Sequence, residues 1–142
     1  MKTLLSSAGA LAMAASLYFA SPAMAASAMT SEAFLQARLQ AFGSGNLEAL
    51  LEQYSEDATL FTPQGALHGK AQIKTMLQAV LAEFGQPGSK FNLVSQAAVG
   101  SSIALVWNAE TSQNIYELGV ETYVLADGKV ATQTTVLKVT PK

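Results

Sequence analysis

The apolar residues of this chain change their period once. From Thr30 to Phe84 they recur three and four apart, and beyond Lys90 they alternate with polar ones. The first spacing gathers side chains on one face of a helix; the second gathers them on one face of a strand. Phe34, Leu35, Leu39 and Phe42 form a first helical stripe, which Gly43-Ser44-Gly45 ends. Asn46 is a capping residue for a short second helix with Leu47, Leu50, Leu51 and Tyr54 on its apolar side. A short strand is expected from Asp57 to Thr62, stopped by Pro63-Gln64-Gly65. Gly69-Lys70 leads into a third helix that uses Ile73, Leu77, Val80, Leu81 and Phe84, and Gly85-Gln86-Pro87-Gly88 terminates it.

Strands are predicted at Phe91–Val99, Ile103–Thr111, Ile115–Ala126 and Lys129–Val139, where β-branched residues concentrate. Asp127-Gly128 marks a tight hairpin between the last two. Helices first and long antiparallel strands afterwards define an α+β order. Strand Ile115–Ala126 places Glu117, Gly119, Glu121, Tyr123 and Leu125 on one face, taken as inward. Tyr116, Leu118, Val120, Thr122 and Val124 fall on the other. A sheet with one wet side shows one polar face, and here the second face is mostly apolar. It therefore calls for cover. A homodimer joined through the sheet is the economical expectation, with a helix or the N-terminal arm as the alternative.

The N-terminus departs from both periods. Lys2 precedes an uncharged stretch from Leu4 to Ala20, then Ser21-Pro22 and the small-x-small run Ala23-Met24-Ala25. That order predicts a secretory signal, residues 1–25, cleaved to leave a single domain over residues 26–142 in the periplasm or outside the cell. Ala, Gly and Ser dilute the stretch and no basic cluster follows, which argues against a membrane anchor. The formal net charge is −2, one unit more negative without Lys2. Nothing in that balance suggests nucleic acid or an anionic membrane surface. The chain has no cysteine, so thiol chemistry, disulfides and a lipid-bearing cysteine are excluded and the core must hold unaided. His68 is the sole histidine, and no acidic cluster shows ligand spacing, so neither a metal nor another cofactor is expected.

A set of short runs, in order, resembles a known family. They are Phe42-Gly43-Ser44-Gly45-Asn46-Leu47, Tyr54-Ser55-Glu56-Asp57-Ala58-Thr59-Leu60, Pro63-Gln64-Gly65 and Gly69-Lys70-Ala71-Gln72-Ile73. The closing hairpin from Glu121 to Val130 extends the likeness. Together they resemble the SnoaL-like, ketosteroid-isomerase-like branch of the nuclear transport factor 2-like (NTF2-like) superfamily. The resemblance implies a cone-shaped, cystatin-like fold, three N-terminal helices packed in a strongly curved antiparallel sheet around an apolar hollow.

Steroid isomerases of that family place a carboxylate base, a tyrosine and a protonated acid in the hollow. By resemblance the base position is Thr62, the tyrosine position Arg38 and the acid position Glu121. A threonine hydroxyl is too weak a base for a carbon acid, so the steroid-isomerase reaction is not expected. Arg38 and Glu121 are the candidate catalytic pair, as oxyanion stabiliser and acid/base, or else a structural ion pair closing the pocket. Arg38 has a third option, to extend along the apolar stripe into solvent. Candidate ligand contacts are Thr62, Tyr54, Trp107 and Tyr123, with Gln133 and Thr135 as neutral hydrogen-bonding groups on the last strand. Ordinary core packing is the alternative for Tyr54 and Trp107. The leading expectation is a pocket protein for a small, largely apolar molecule. A cofactor-free isomerase or cyclase and a dimeric scaffold are the alternatives, because this fold hosts many functions.

Overall fold

The computed structural model describes residues 29–142; the expected signal and its cleavage site lie outside them. Among the described residues three helices come first: α1 (Ser31–Gly43), α2 (Leu47–Leu51) and, after two strands, α3 (Lys70–Phe84). Thr30 caps α1 by accepting from the Ala33 N–H at 3.2 Å, and Asn46 caps α2 by accepting from the Ala49 N–H at 3.0 Å. Each side chain satisfies a donor that the first helical turn leaves without a partner.

The strands are β1 (Tyr54–Thr62), β2 (Gly65–His68), β3 (Lys90–Val99), β4 (Ser102–Glu110), β5 (Asn114–Ala126) and β6 (Lys129–Pro141). They form one sheet in the order β2-β1-β6-β5-β4-β3. All neighbouring pairs are antiparallel except β1 and β6, which run parallel and pair Leu60 with Gln133. The sheet is therefore mixed, since β1 reaches β6 from the helical half of the chain rather than through a hairpin. The Asp127-Gly128 turn has positive φ at both residues, 52° and 74°, the conformation that closes a two-residue hairpin.

Two local differences from the sequence expectation matter for the site. β1 begins at Tyr54, not Asp57, and its pairing with β6 slips between Tyr54 and Thr59. Tyr54 thus leaves α2 and enters the sheet. In β5 a bulge between Tyr116 and Leu118 shifts the alternation, so Tyr116 turns inward and Glu117 outward. A bulge inserts one unpaired residue and exchanges the faces beyond it. Strand β2 was not expected either.

The helices lie across the concave side of the sheet. Phe34, Leu50 and Ile73 from the helices meet Leu60, Tyr123 and Val130 from the strands, each no more than 1% exposed. Burying such side chains contributes about 1.5–3 kcal/mol each, and no disulfide assists. The opposite sheet face stays exposed, with Leu118, Val124 and Val136 on it. Among the described residues no helix is long and apolar enough to cross a membrane.

Candidate functional site

Between α1, α3 and the concave sheet lies a cavity of about 230 Å³. Leu60, Met76, Leu77, Val80 and Leu105 supply much of its apolar wall. Trp107 forms another part, and its position depends on the residue opposite. Trp107 pairs across strands with Gly119, and a Cβ on Gly119 would stand 2.2 Å from Trp107 Cε2. Only glycine lets the indole lie against the backbone there.

The inner end of the cavity is polar and deeply buried. Arg38 on α1 is 6% exposed, so the solvent-directed option fails. Its guanidinium lies between the rings of Tyr54 and Tyr123, 5.1 Å from each centroid. One N–H donates to Tyr54 Oη at 2.8 Å and another to Gln53 Oε1 at 3.3 Å. Tyr54 in turn donates to Gln133 Oε1, and Gln133 Nε2 donates to Thr135 Oγ1 at 3.1 Å. Tyr123 donates to Glu121 Oε2. Among the described residues no carboxylate lies within 4.0 Å of Arg38, so the direct Arg38–Glu121 ion pair is not formed. Tyr123 bridges the two, with its ring against the guanidinium and its hydroxyl on Glu121, and ring faces take the place of a counter-ion.

Burial opposes the Arg38 charge, but the Tyr123 and Tyr54 phenols and Glu121 outweigh it and raise the pKa above its ordinary value. Burial pushes both phenols up as well, against the pull of Arg38, and for Tyr123 well above 10.0. Both therefore stay neutral donors through the physiological range.

Of the residues singled out from sequence, Arg38, Thr62, Trp107, Glu121, Gln133 and Thr135 line the cavity. Tyr54 and Tyr123 do not line it; each is 1% exposed and flanks Arg38 instead. Their expected ligand contact is replaced by a supporting position, because each ring packs against the guanidinium. Thr62 Oγ1 donates to Gly65 O at 2.9 Å and accepts from the Gln64 N–H at 3.2 Å. The turn uses this hydroxyl as donor and acceptor. His68 lies exposed on β2, with Nδ1 3.0 Å from Thr59 Oγ1, away from the cavity.

Sequence reasoning missed Glu83. This residue, one before the end of α3, accepts from Thr111 Oγ1 at 2.7 Å, Asn114 Nδ2 at 2.8 Å and Tyr116 Oη at 2.9 Å. Burial works to raise its pKa, yet the three hydrogen bonds together hold it below 4.5. Burial and then Glu83 push the Tyr116 phenol up to about 12. The cluster ties α3 to the β4–β5 connection beside the cavity. Its one visible signal is Thr111-Ser112-Gln113-Asn114, where Thr111 Oγ1 also caps the turn.

A curved sheet enclosing helices and a largely apolar hollow with one polar end defines the class of conical, nuclear transport factor 2-like pocket proteins. The sequence model of the SnoaL-like domain matches residues 35–133, more than half of the chain. The chain belongs to the SnoaL-like family. No curated protein matches the chain. Among solved structures it is similar to a nuclear transport factor 2-like protein of unknown function from Cytophaga hutchinsonii. The two share 14% identity at a TM-score of 0.64 over 78% of this chain and 91% of that one. A SnoaL-like protein of unknown function from Burkholderia thailandensis is 19% identical, with a TM-score of 0.62 over 75% and 93%. The epoxide hydrolase/cyclase-like enzyme SalBIII, with a role in pyran ring formation in the polyether salinomycin, is 15% identical. Its TM-score is 0.64 over 75% and 89%. At these identities the likeness is one of fold.

Proposed function

We propose that the protein binds a small, largely apolar molecule whose polar group is received by Arg38, Glu121 and Thr135. The observation that carries this reading is an apolar cavity with hydrogen-bonding groups gathered at one buried end. Arg38 has five N–H donors, of which Gln53 and Tyr54 take two. Glu121 uses one carboxylate oxygen for Tyr123. A ligand carbonyl or hydroxyl would find both donors and an acceptor at that end.

Binding is favoured over turnover by Thr62. At the position where the resemblance puts the base, the hydroxyl is engaged by the turn, and a threonine is no base for a carbon acid. The alternative is an isomerase or cyclase in which Glu121 acts as acid/base and Arg38 stabilises developing negative charge. The cyclase-like neighbour SalBIII lends that alternative its weight. Native mass spectrometry of protein purified from its own host tests the reading through a co-purified ligand. Under the binding reading Glu121→Gln weakens that binding modestly, and no product appears with either protein. Loss of an observed turnover in the folded variant supports the enzyme instead.

Two further parts of the reading stand with it. The row Val106, Val120 and Val136 runs across three strands on the outer sheet face, with Leu118 and Val124 nearby. A second copy of the chain laid on this face is the proposed cover, and Val136→Lys would leave a monomer by solution sizing. The proposed export predicts a mature N-terminus at Ala26 in protein recovered from outside the cytoplasm.

A further inference from the structure

Two hollows meet at one wall. Outside the cavity, where the C-terminal ends of α1 and α3 approach the start of β3, lies a groove of about 560 Å³. Leu39, Phe42, Phe84 and Phe91 line both spaces. The three phenylalanines come from three different elements and touch in the middle. Centroids of Phe42 and Phe84 are 5.5 Å apart at an interplanar angle of 68°, and those of Phe42 and Phe91 are 6.0 Å apart at 50°. Rings at these separations are in contact, and a chain of methylenes does not pass between them without displacing one.

The wall is braced from the cavity side. Phe84 meets Trp107 at 6.1 Å and Tyr116 at 5.2 Å, and Phe91 meets Trp107 at 5.4 Å. Tyr116 is itself held to Glu83 by its hydroxyl. The cavity of about 230 Å³ falls below the roughly 300–1,000 Å³ of drug-sized ligand sites. Joined to the groove it would reach that range. The apolar surface beyond the wall continues in Leu81 and Leu93, so chemistry does not end the cavity there. The rings do.

We propose that Phe42, Phe84 and Phe91 are specificity-determining residues: a septum that limits the ligand to short apolar molecules with a polar head at Arg38 and Glu121. This rests on the binding reading above. Phe91 is the leaf to remove, because it is 40% exposed on the edge strand β3 and its loss opens the wall with least damage to the core.

The test is a homologous series of straight-chain 2-alkanones, with binding followed by the emission of Trp107, the single tryptophan and a cavity residue. In the wild-type protein affinity rises about fourfold per methylene while the chain is being buried, then stops rising at a short length. In Phe91→Ala the rise continues past that length. Leu47→Ala, which loosens core packing away from both hollows, keeps the wild-type limit. Should Phe91→Ala fold poorly, Phe42→Leu reads the same shift to a smaller extent. An unchanged limit in a folded septum variant, or no limit in the wild-type protein, overturns the septum alone. If no ketone of any length binds the wild-type protein, the binding reading falls and the septum with it.

Discussion

The two ends of the cavity hold their shape by different means. At the inner end a guanidinium is stacked between two phenols, and Gln53, Tyr54, Gln133 and Thr135 are joined to it by a directional chain of hydrogen bonds. At the outer end Phe42, Phe84, Phe91 and Trp107 meet through ring edges and faces alone. The first arrangement tolerates little, because a lost partner leaves a buried polar group unpaired. The second tolerates a change of volume if neighbours can move. A site built this way fixes the orientation of a ligand's polar group at one end and its size at the other.

Variants sharpen this contrast. The largest effect is expected at Arg38: Arg38→Ala leaves Tyr54 and Gln53 without their donor and lowers unfolding stability by about 3 kcal/mol, read by urea titration. A loss below about 1 kcal/mol would show the polar end to be as forgiving as the aromatic one. Gly119→Ala comes next. Its methyl collides with the indole, so Trp107 must leave its place at a cost of about 2 kcal/mol, and the emission of this single tryptophan shifts with it.

Glu83→Gln, beside the aromatic end, is expected to cost about 1–2 kcal/mol near neutral pH. The folded-state pKa of Glu83 is depressed, so its contribution is complete above about 4.5 and fades as pH falls through the lower folded value. The gap between variant and wild-type stability should therefore narrow below pH 4.5; a constant gap would rule out the charged hydrogen bonds as its source. The tyrosines carry the opposite sign. Tyr54, Tyr116 and Tyr123 all have raised pKa values, Tyr116 about 12, so their neutral forms stabilise the fold up to about pH 10 and that stability is lost as pH rises further. Phenolate absorbance should lag behind that of free tyrosine and then appear together with unfolding. The smallest effect belongs to Thr62→Ala, about 0.5–1 kcal/mol for one turn hydroxyl, with ligand binding retained; abolished binding would return Thr62 to the centre of the site.

How far the sequence could be read follows from the range of each interaction. The three helices, β3 to β6 and the Asp127-Gly128 turn are local patterns, and periodicity locates them within a few residues. Gly65–His68 is too short to alternate and exists only through its pairing with β1, so it leaves no local trace. The bulge near Glu117 is equally silent: a single inserted residue keeps the composition of the strand while turning Tyr116 inward. At the site, alternation places Glu121 and Tyr123 side by side, and the structure joins them by a hydrogen bond. The partners of Arg38 were not legible, since Tyr54 and Tyr123 come from distant strands and meet it only after the sheet has curled. The same holds for Glu83, whose three donors follow it by 28 to 33 residues.

One pairing also orders events in time. β1 stands between β2 and β6, and its parallel partner lies about 70 residues further along, after the other strands of the described sheet. While the polypeptide is being made, everything up to α3 emerges before the surface it rests on exists. Contacts closed over such long stretches form slowly. The ribosome must deliver β6 before the first half can lock, so the nascent chain remains pliable until that strand has emerged.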